Sequence, residues 1–211
     1  FVLTEHARRY LLSEGIRGDT IFKTGSFLPE IFENFKSSLS KTTILKKLKL
    51  KKKEYLIFSF HREENIENLK NLRKISESLN YLAKIKNIKI LVSTHPRTRK
   101  QLKKLKKFKF NNLINFHNPF SFFEYINLQK NAYCTISDSG TITEESSILN
   151  FPAITIRNSH ERPEGMDEGV VIMSGLEKEK VLSAIEITVK ANDERDDNFK
   201  IITSGCDDMK G

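Results

Sequence analysis

From Tyr55 onward, short uninterrupted apolar runs alternate with longer stretches whose apolar residues recur every three or four positions. The run YLIFSF (55–60) reads as a strand covered on both faces. It is followed by NIENLKNLRKISESLNYLAKI (65–85), in which Ile66, Leu69, Leu72, Ile75, Leu79 and Leu82 share one side of a helix. The pattern then repeats. IKILVST (88–94) is a strand and a basic helix follows at about 97–107. LINFH (113–117) is a strand, SFFEYINLQKN (121–131) a helix and AYCTIS (132–137) a strand. TITEESSILN (141–150) is a helix, PAITIR (152–157) a strand and VVIM (170–173) a last short strand. EKEKVLSAIEITVKA (177–191) closes the pattern as a helix. Unbroken apolar strands alternating with helices predict an α/β fold, a Rossmann-like parallel sheet with flanking helices.

Ahead of Tyr55 the rhythm is less regular. Residues 4–14 predict a helix capped by Thr4 and stopped by Gly15. TIFKTG (20–25) predicts a short strand and FLPEIFENFKSSL (27–39) a helix. Residues 40–54 form a basic connector with one helical turn.

Parallel α/β sheets collect ligands at the carboxyl ends of their strands. Four polar turns fall on that edge: His61-Arg62-Glu63-Glu64-Asn65 after the first strand, His95-Pro96-Arg97 after the second, Asp138-Ser139-Gly140, and NSHERPEGMDEG after PAITIR. The stretch SDSGTITEESSILNFP (137–152) has the features of a nucleotide cradle. Gly140 lets the backbone turn sharply and approach a ligand, and Ser139 adds a hydroxyl donor. The helix that follows offers unpaired N–H groups and the positive end of its dipole to phosphate. Thr141 and Glu144 have capping-box spacing, so Glu144 also reads as a helix cap. Glu145 lies about one turn into the helix, where a carboxylate accepts both hydroxyls of a ribose.

Composition narrows the picture without changing it. Of 211 residues, 38% are hydrophobic and 30% charged, ordinary for a packed α/β domain and too apolar for disorder. No apolar run approaches the ~20 residues of a membrane span, the charged start does not read as a signal peptide, and a cytoplasmic location is the default expectation. The net charge of +9 gathers in KKLKLKKKE (46–54) and RTRKQLKKLKKFK (97–109). These runs lack the interleaved aromatics of a nucleic-acid platform and read as solvated faces that favour anionic ligands. Cys134 and Cys206 have no metal-ligand spacing, and Cys134 reads as a buried reduced thiol.

The motifs SFHREEN, VSTHPRTRK, SDSGTITEESSILNFPAITIR and HERPEGMDEG, in that order, resemble the non-hydrolysing UDP-N-acetylglucosamine 2-epimerases, and within them the branch that forms UDP-N-acetyl-L-fucosamine. The resemblance runs from about Val2 to Asn198. It implies the carboxyl-terminal domain of a GT-B-type two-domain fold, with UDP in the cleft and neither metal nor nicotinamide as cofactor. It implies inversion at C2 of a UDP-2-acetamido sugar by elimination and re-addition of UDP. It assigns His61 to the active site, beside the leaving pyrophosphate. It places Arg62 and His95 along the sugar-nucleotide cleft, Ser139, Gly140 and Thr141 at the pyrophosphate, Glu145 at the ribose and Arg162 on the phosphate side. Phe123 or Tyr125 of NPFSFFEY (118–125) walls the uracil. The partner is a UDP-activated N-acetylamino sugar, and the full two-domain protein is a homodimer.

On this reading residues 1–40 are the remnant of an amino-terminal Rossmann-like domain and its crossover, 41–198 the UDP-binding domain and 199–211 an atypical tail. The chain lacks an initiator Met and reads as a piece of something longer, or a processed product. The carboxylates expected to move the C2 proton belong to the missing domain, so little epimerisation is expected from this chain alone. A GT-B glycosyltransferase would use the same cradle, and a non-catalytic UDP-sugar-binding fragment is the third reading.

Overall fold

The computed structural model describes residues 1–157 and 171–194. Six parallel strands form one sheet: β1 (Tyr55–Ser59), β2 (Lys89–Ser93), β3 (Ile114–His117), β4 (Cys134–Ser137), β5 (Ala153–Thr155) and β6 (Val171–Met173). Their order is β3-β2-β1-β4-β5-β6, with every neighbouring pair parallel. Alternation within β1 shows why the strand is apolar throughout. Leu56 and Phe58 join one core with Leu72, Ile75, Leu79 and Leu82 of the long helix. Tyr55 and Ile57 point the other way, to Ile44, Leu91 and Leu128. Side chains alternate across a strand, so a sheet with helices on both faces needs no polar side.

Helices α1 (Glu5–Ser13), α2 (Leu28–Asn34), α3 (Lys36–Ser40) and α4 (Ile44–Lys47) precede the sheet. Between and after the strands come α5 (Glu63–Ile66), α6 (Leu69–Lys86), α7 (Pro96–Leu102), α8 (Phe122–Asn131), α9 (Ile142–Leu149) and α10 (Lys178–Asp193). Thr4 caps α1 by accepting from the Ala7 N–H, and Gly15 ends it with φ at 83°. The predicted 65–85 helix is two helices. Asn68 adopts extended backbone and accepts from the Lys70 and Asn71 N–H groups, starting α6 afresh. The predicted 27–39 helix breaks at Phe35 into α2 and α3.

The strand expected at 20–25 is corrected. A 3₁₀ turn at Gly18–Thr20 takes up its start, and what remains pairs with Val2 as one isolated bridge at Lys23. Residues 28–40 lie on α8, where Leu28, Phe32 and Leu39 surround Ile126. No helix among the described residues is long and apolar enough to cross a membrane.

Candidate active site

The chain runs from β1 outward to β2 and β3 on one side, then crosses back to build β4, β5 and β6 on the other. The reversal lies between β1 and β4, and at their carboxyl ends such sheets open a binding crevice. Ser59 and Ser137 end these two strands in register, with their hydroxyls 2.9 Å apart.

Asp138 joins the two strand ends. It is 0% exposed, and its carboxylate accepts from the His61 N–H (3.0 and 3.1 Å), the Arg62 N–H (3.0 Å) and the Asn65 side-chain amide (3.0 Å). Its Oδ1 also lies 3.2 Å from His61 Nδ1. That contact sets the orientation of the imidazole ring. The Arg62 Nε donates to the Asp138 carbonyl at 3.0 Å. The loop after β1 and the turn after β4 are thereby one unit.

A cavity of about 270 Å³ opens beside this unit, with Ser59, His61, Ser93, Ser137, Ser139 and Glu145 among its lining, and Phe120, Phe122, Tyr125 and Gln129 as the wall from the α8 region. Its polar rim is continuous. Tyr125 Oη donates to Ser59 Oγ at 2.8 Å, and the Ser139 N–H donates to Ser137 Oγ at 3.0 Å. Ser139 and Thr141 hydroxyls are 3.0 Å apart. Thr141 Oγ1 donates to Glu145 Oε1 at 2.6 Å, and Gln129 Nε2 to Glu145 Oε2 at 2.8 Å. Burial pushes the Tyr125 hydroxyl well above its ordinary range, so it acts as a neutral donor. An adjoining cavity of about 400 Å³ shares Ser59, His61 and Ser93 and adds His95, Arg97 and Thr98. Arg97 is held there by ion pairs to Glu63 (2.8 Å) and Glu67.

Of the residues singled out from sequence, His61, Ser139 and Glu145 meet at the first cavity, and His95 lies at the second with His61. Thr141 reaches the first through Glu145, and Arg62 backs the turn. Gly140 lies in that turn, but the left-handed glycines of the described residues are Gly15, Gly25 and Gly175, so the turn does not depend on positive φ. Phe123 is not among the residues that line either cavity. It packs on Phe35 (5.5 Å) and beside Leu28, Phe32 and Ile126, while Phe122 and Tyr125 line the cavity. The Thr141–Glu144 capping box is also corrected. No side chain caps α9, and Glu144 is buried and accepts from Ser26 Oγ at 2.5 Å. Arg162 and the HERPEG motif lie outside the described residues.

Two contributors were missed. Asp138 was in view within the Asp-Ser-Gly turn, and its place directly after a central buried strand was the signal for a structural acceptor. Gln129 gave a signal only through helix phase: Phe122, Tyr125 and Gln129 are three and four residues apart, one face of α8. Among the described residues no cluster of His, Cys, Asp and Glu is arranged to hold a metal ion. Cys134 is buried in the core, where desolvation pushes its thiol up to about 12.

Comparison with known proteins places this geometry. The chain is 35% identical over 200 residues to a UDP-N-acetylglucosamine 2-epimerase of Methanocaldococcus jannaschii, covering 89% of this chain and 53% of that one. The structure of the Rickettsia bellii UDP-N-acetylglucosamine 2-epimerase superposes with a TM-score of 0.82 at 46% identity, over 99% of this chain and 54% of the other. The Methanocaldococcus jannaschii enzyme in complex with UDP-GlcNAc and UDP superposes with a TM-score of 0.84 at 32% identity, over 97% and 57%. The chain thus spans about half the length of the relatives it matches. A sequence model of the UDP-N-acetylglucosamine 2-epimerases matches residues 1–201, and this chain belongs to that family.

Proposed function

We propose that this chain is the UDP-binding half of an enzyme that inverts C2 of a UDP-2-acetamido sugar. The observation that carries this is the Asp138 junction, which brings His61, Ser139 and Glu145 to one cavity at the reversal of the sheet. A homologue whose structure superposes on nearly all of the chain was solved in complex with UDP-GlcNAc and UDP. On this reading the nucleoside lies in the smaller cavity, its base against Phe120, Phe122 or Tyr125 and its ribose hydroxyls on Glu145. The diphosphate lies at Ser139 and the uncapped start of α9, where backbone N–H groups and the helix dipole favour an anion. His61 offers its imidazole as a donor to the oxygen that joins the diphosphate to the sugar anomeric carbon. It thereby steadies UDP as it leaves, and the sugar extends toward the second cavity and His95.

The C2 proton needs a base and an acid within hydrogen-bond reach. At the first cavity, the Asp138 carboxylate is enclosed by the N–H groups of the loop, and Glu145 is held by Thr141 and Gln129. Neither suits that work. On this reading the proton-moving groups belong to the half of the relatives' length that this chain does not span, and the 211-residue chain by itself binds UDP weakly and does not turn over. The substrate is UDP-GlcNAc or, by the wording of the motifs, the 2-acetamido-2,6-dideoxy-L-talose analogue that gives UDP-L-FucNAc. The products are cytoplasmic precursors for surface polysaccharide such as capsule, and the two-domain protein works as a homodimer.

The test is a titration of UDP and UDP-GlcNAc into the chain, followed by amide NMR, with C2 proton exchange measured in heavy water. Shifts at His61, Ser139 and Glu145 with no exchange are expected. Shifts confined elsewhere would remove the binding site, and brisk exchange would remove the claim of inactivity.

A further inference from the structure

Gln129 sits on α8, four residues past the NPFSFFEY stretch and outside the four motifs that carry the family resemblance, yet it closes the nucleotide cavity. It is 1% exposed, so its amide was taken out of water to reach this position. Its Nε2 donates to Glu145 Oε2 at 2.8 Å, while Thr141 donates to the opposite oxygen, Oε1, at 2.6 Å. A carboxylate held at both oxygens cannot rotate. Each oxygen has about two acceptor positions, so one on each remains for a ligand, side by side, as a vicinal diol requires. The other end of the same amide, Gln129 Oε1, is buried and has no hydrogen-bond partner among the described residues. A buried acceptor without a donor is destabilising unless something supplies one. That cost points to the other end of the amide, the Nε2 donor to Glu145, as what the residue is kept for.

We propose that Gln129 is a positioning residue that fixes the Glu145 carboxylate for a ribose diol, and that through it the site distinguishes a ribonucleotide from its 2′-deoxy counterpart. This rests on the nucleotide reading above. Phe122 and Tyr125 share the helix face with Gln129, so base wall and ribose clamp are carried by one rigid element. The orientation of the carboxylate is thereby tied to the position of the aromatic wall.

The experiment compares the affinities of UDP and 2′-deoxy-UDP for the whole chain and for Gln129→Met, which keeps the volume and removes both polar atoms. Gln129→Leu is the second variant, since it is close in volume and has no group that can donate to Glu145. Thermal unfolding of each variant is recorded alongside, and Gln129→Leu stands in should Gln129→Met not fold. The unaltered chain prefers UDP, and both variants lower the UDP to 2′-deoxy-UDP preference by roughly tenfold or more, as expected for one hydrogen bond to a charged group. A merely structural role would weaken both ligands equally and leave the ratio unchanged, and that result overturns the proposal. Glu145→Ala separates the two levels of the argument. If Glu145→Ala leaves UDP affinity unaltered, or the unaltered chain does not bind UDP, the nucleotide reading falls and takes this proposal with it. If Glu145→Ala abolishes the preference while the Gln129 variants keep it, only the role of Gln129 is lost.

Discussion

Replacing Asp138 by alanine removes the acceptor on which the loop after β1 is hung. The His61 and Arg62 N–H groups and the Asn65 amide all lose their partner, and the Asp138 and Asn65 side chains themselves are closed to water. A hydrogen bond to a charged group contributes roughly 1.5–3 kcal/mol, and a buried donor left unpaired costs roughly 1–3 kcal/mol. These losses overlap, because the donors share one short loop that moves as a whole to find water. A total of about 4 kcal/mol is therefore expected rather than the arithmetic sum. For a domain of this size each kcal/mol lowers the melting temperature by about 2–4 °C, so Asp138→Ala should fall by about 8–16 °C. Asp138→Asn keeps the volume and one acceptor oxygen but turns an amide N–H toward other donors, and about half the effect is expected. Thermal unfolding followed by circular dichroism measures both. UDP titration should show at least a tenfold loss for Asp138→Ala, since His61 no longer has a fixed position. If Asp138→Ala melts within about 3 °C of the parent and binds UDP as well, the junction is not what organises the site.

The adjacent glutamates of α9 should separate cleanly. Glu144→Ala loses the buried contact to Ser26, destabilising by about 1–3 kcal/mol with UDP affinity retained, whereas Glu145→Ala weakens UDP with little change in urea midpoint. The neighbouring phenylalanines should do the same: Phe123→Ala destabilises by about 2–3 kcal/mol through its contacts with Phe35 and Ile126. Phe122→Ala, 46% exposed at the cavity, mainly weakens UDP, by roughly tenfold if the base stacks there. Burial first, and Arg99 second, lower the pKa of His117 beneath 6.5. The unfolded chain then binds more protons than the folded one below 6.5, so this contribution is complete above that pH and fades as pH falls. Urea midpoints compared between about pH 7.5 and about pH 5 should decline less for His117→Gln than for the parent.

Strands such as β1 and β4 were legible because burial on both faces demands an unbroken apolar run, which little else in a chain of this composition produces. The break between α5 and α6 was not, because apolar spacing carries across it from Ile66 to Leu69, and the Asn68 cap that restarts the helix is a single polar residue in a polar stretch. The 20–25 segment reads as a strand locally, but a strand is made by a partner, and among the described residues it forms one isolated bridge, Lys23 with Val2. In the site, the loops after the strands were visible as polar clusters and the structure brings three of their members together. The role of Asp138 was hidden because its donors are mainly backbone N–H groups of residues far away in sequence, and no side-chain pattern records them. The choice between Phe123 and Tyr125 was in fact written in helix phase. Phe123 shares a face with buried Ile126, and Tyr125 shares one with Phe122 and Gln129.

The loop that carries His61 is anchored through main-chain amides at positions 61 and 62, groups that every residue but proline possesses. Scaffold and reagent are thus separate at this position: the path of the backbone is set by Asp138, and the imidazole is cargo on it. Exchanging the side chain at 61 replaces the imidazole while the track beneath stays put, so a change in UDP affinity there reports on the imidazole itself.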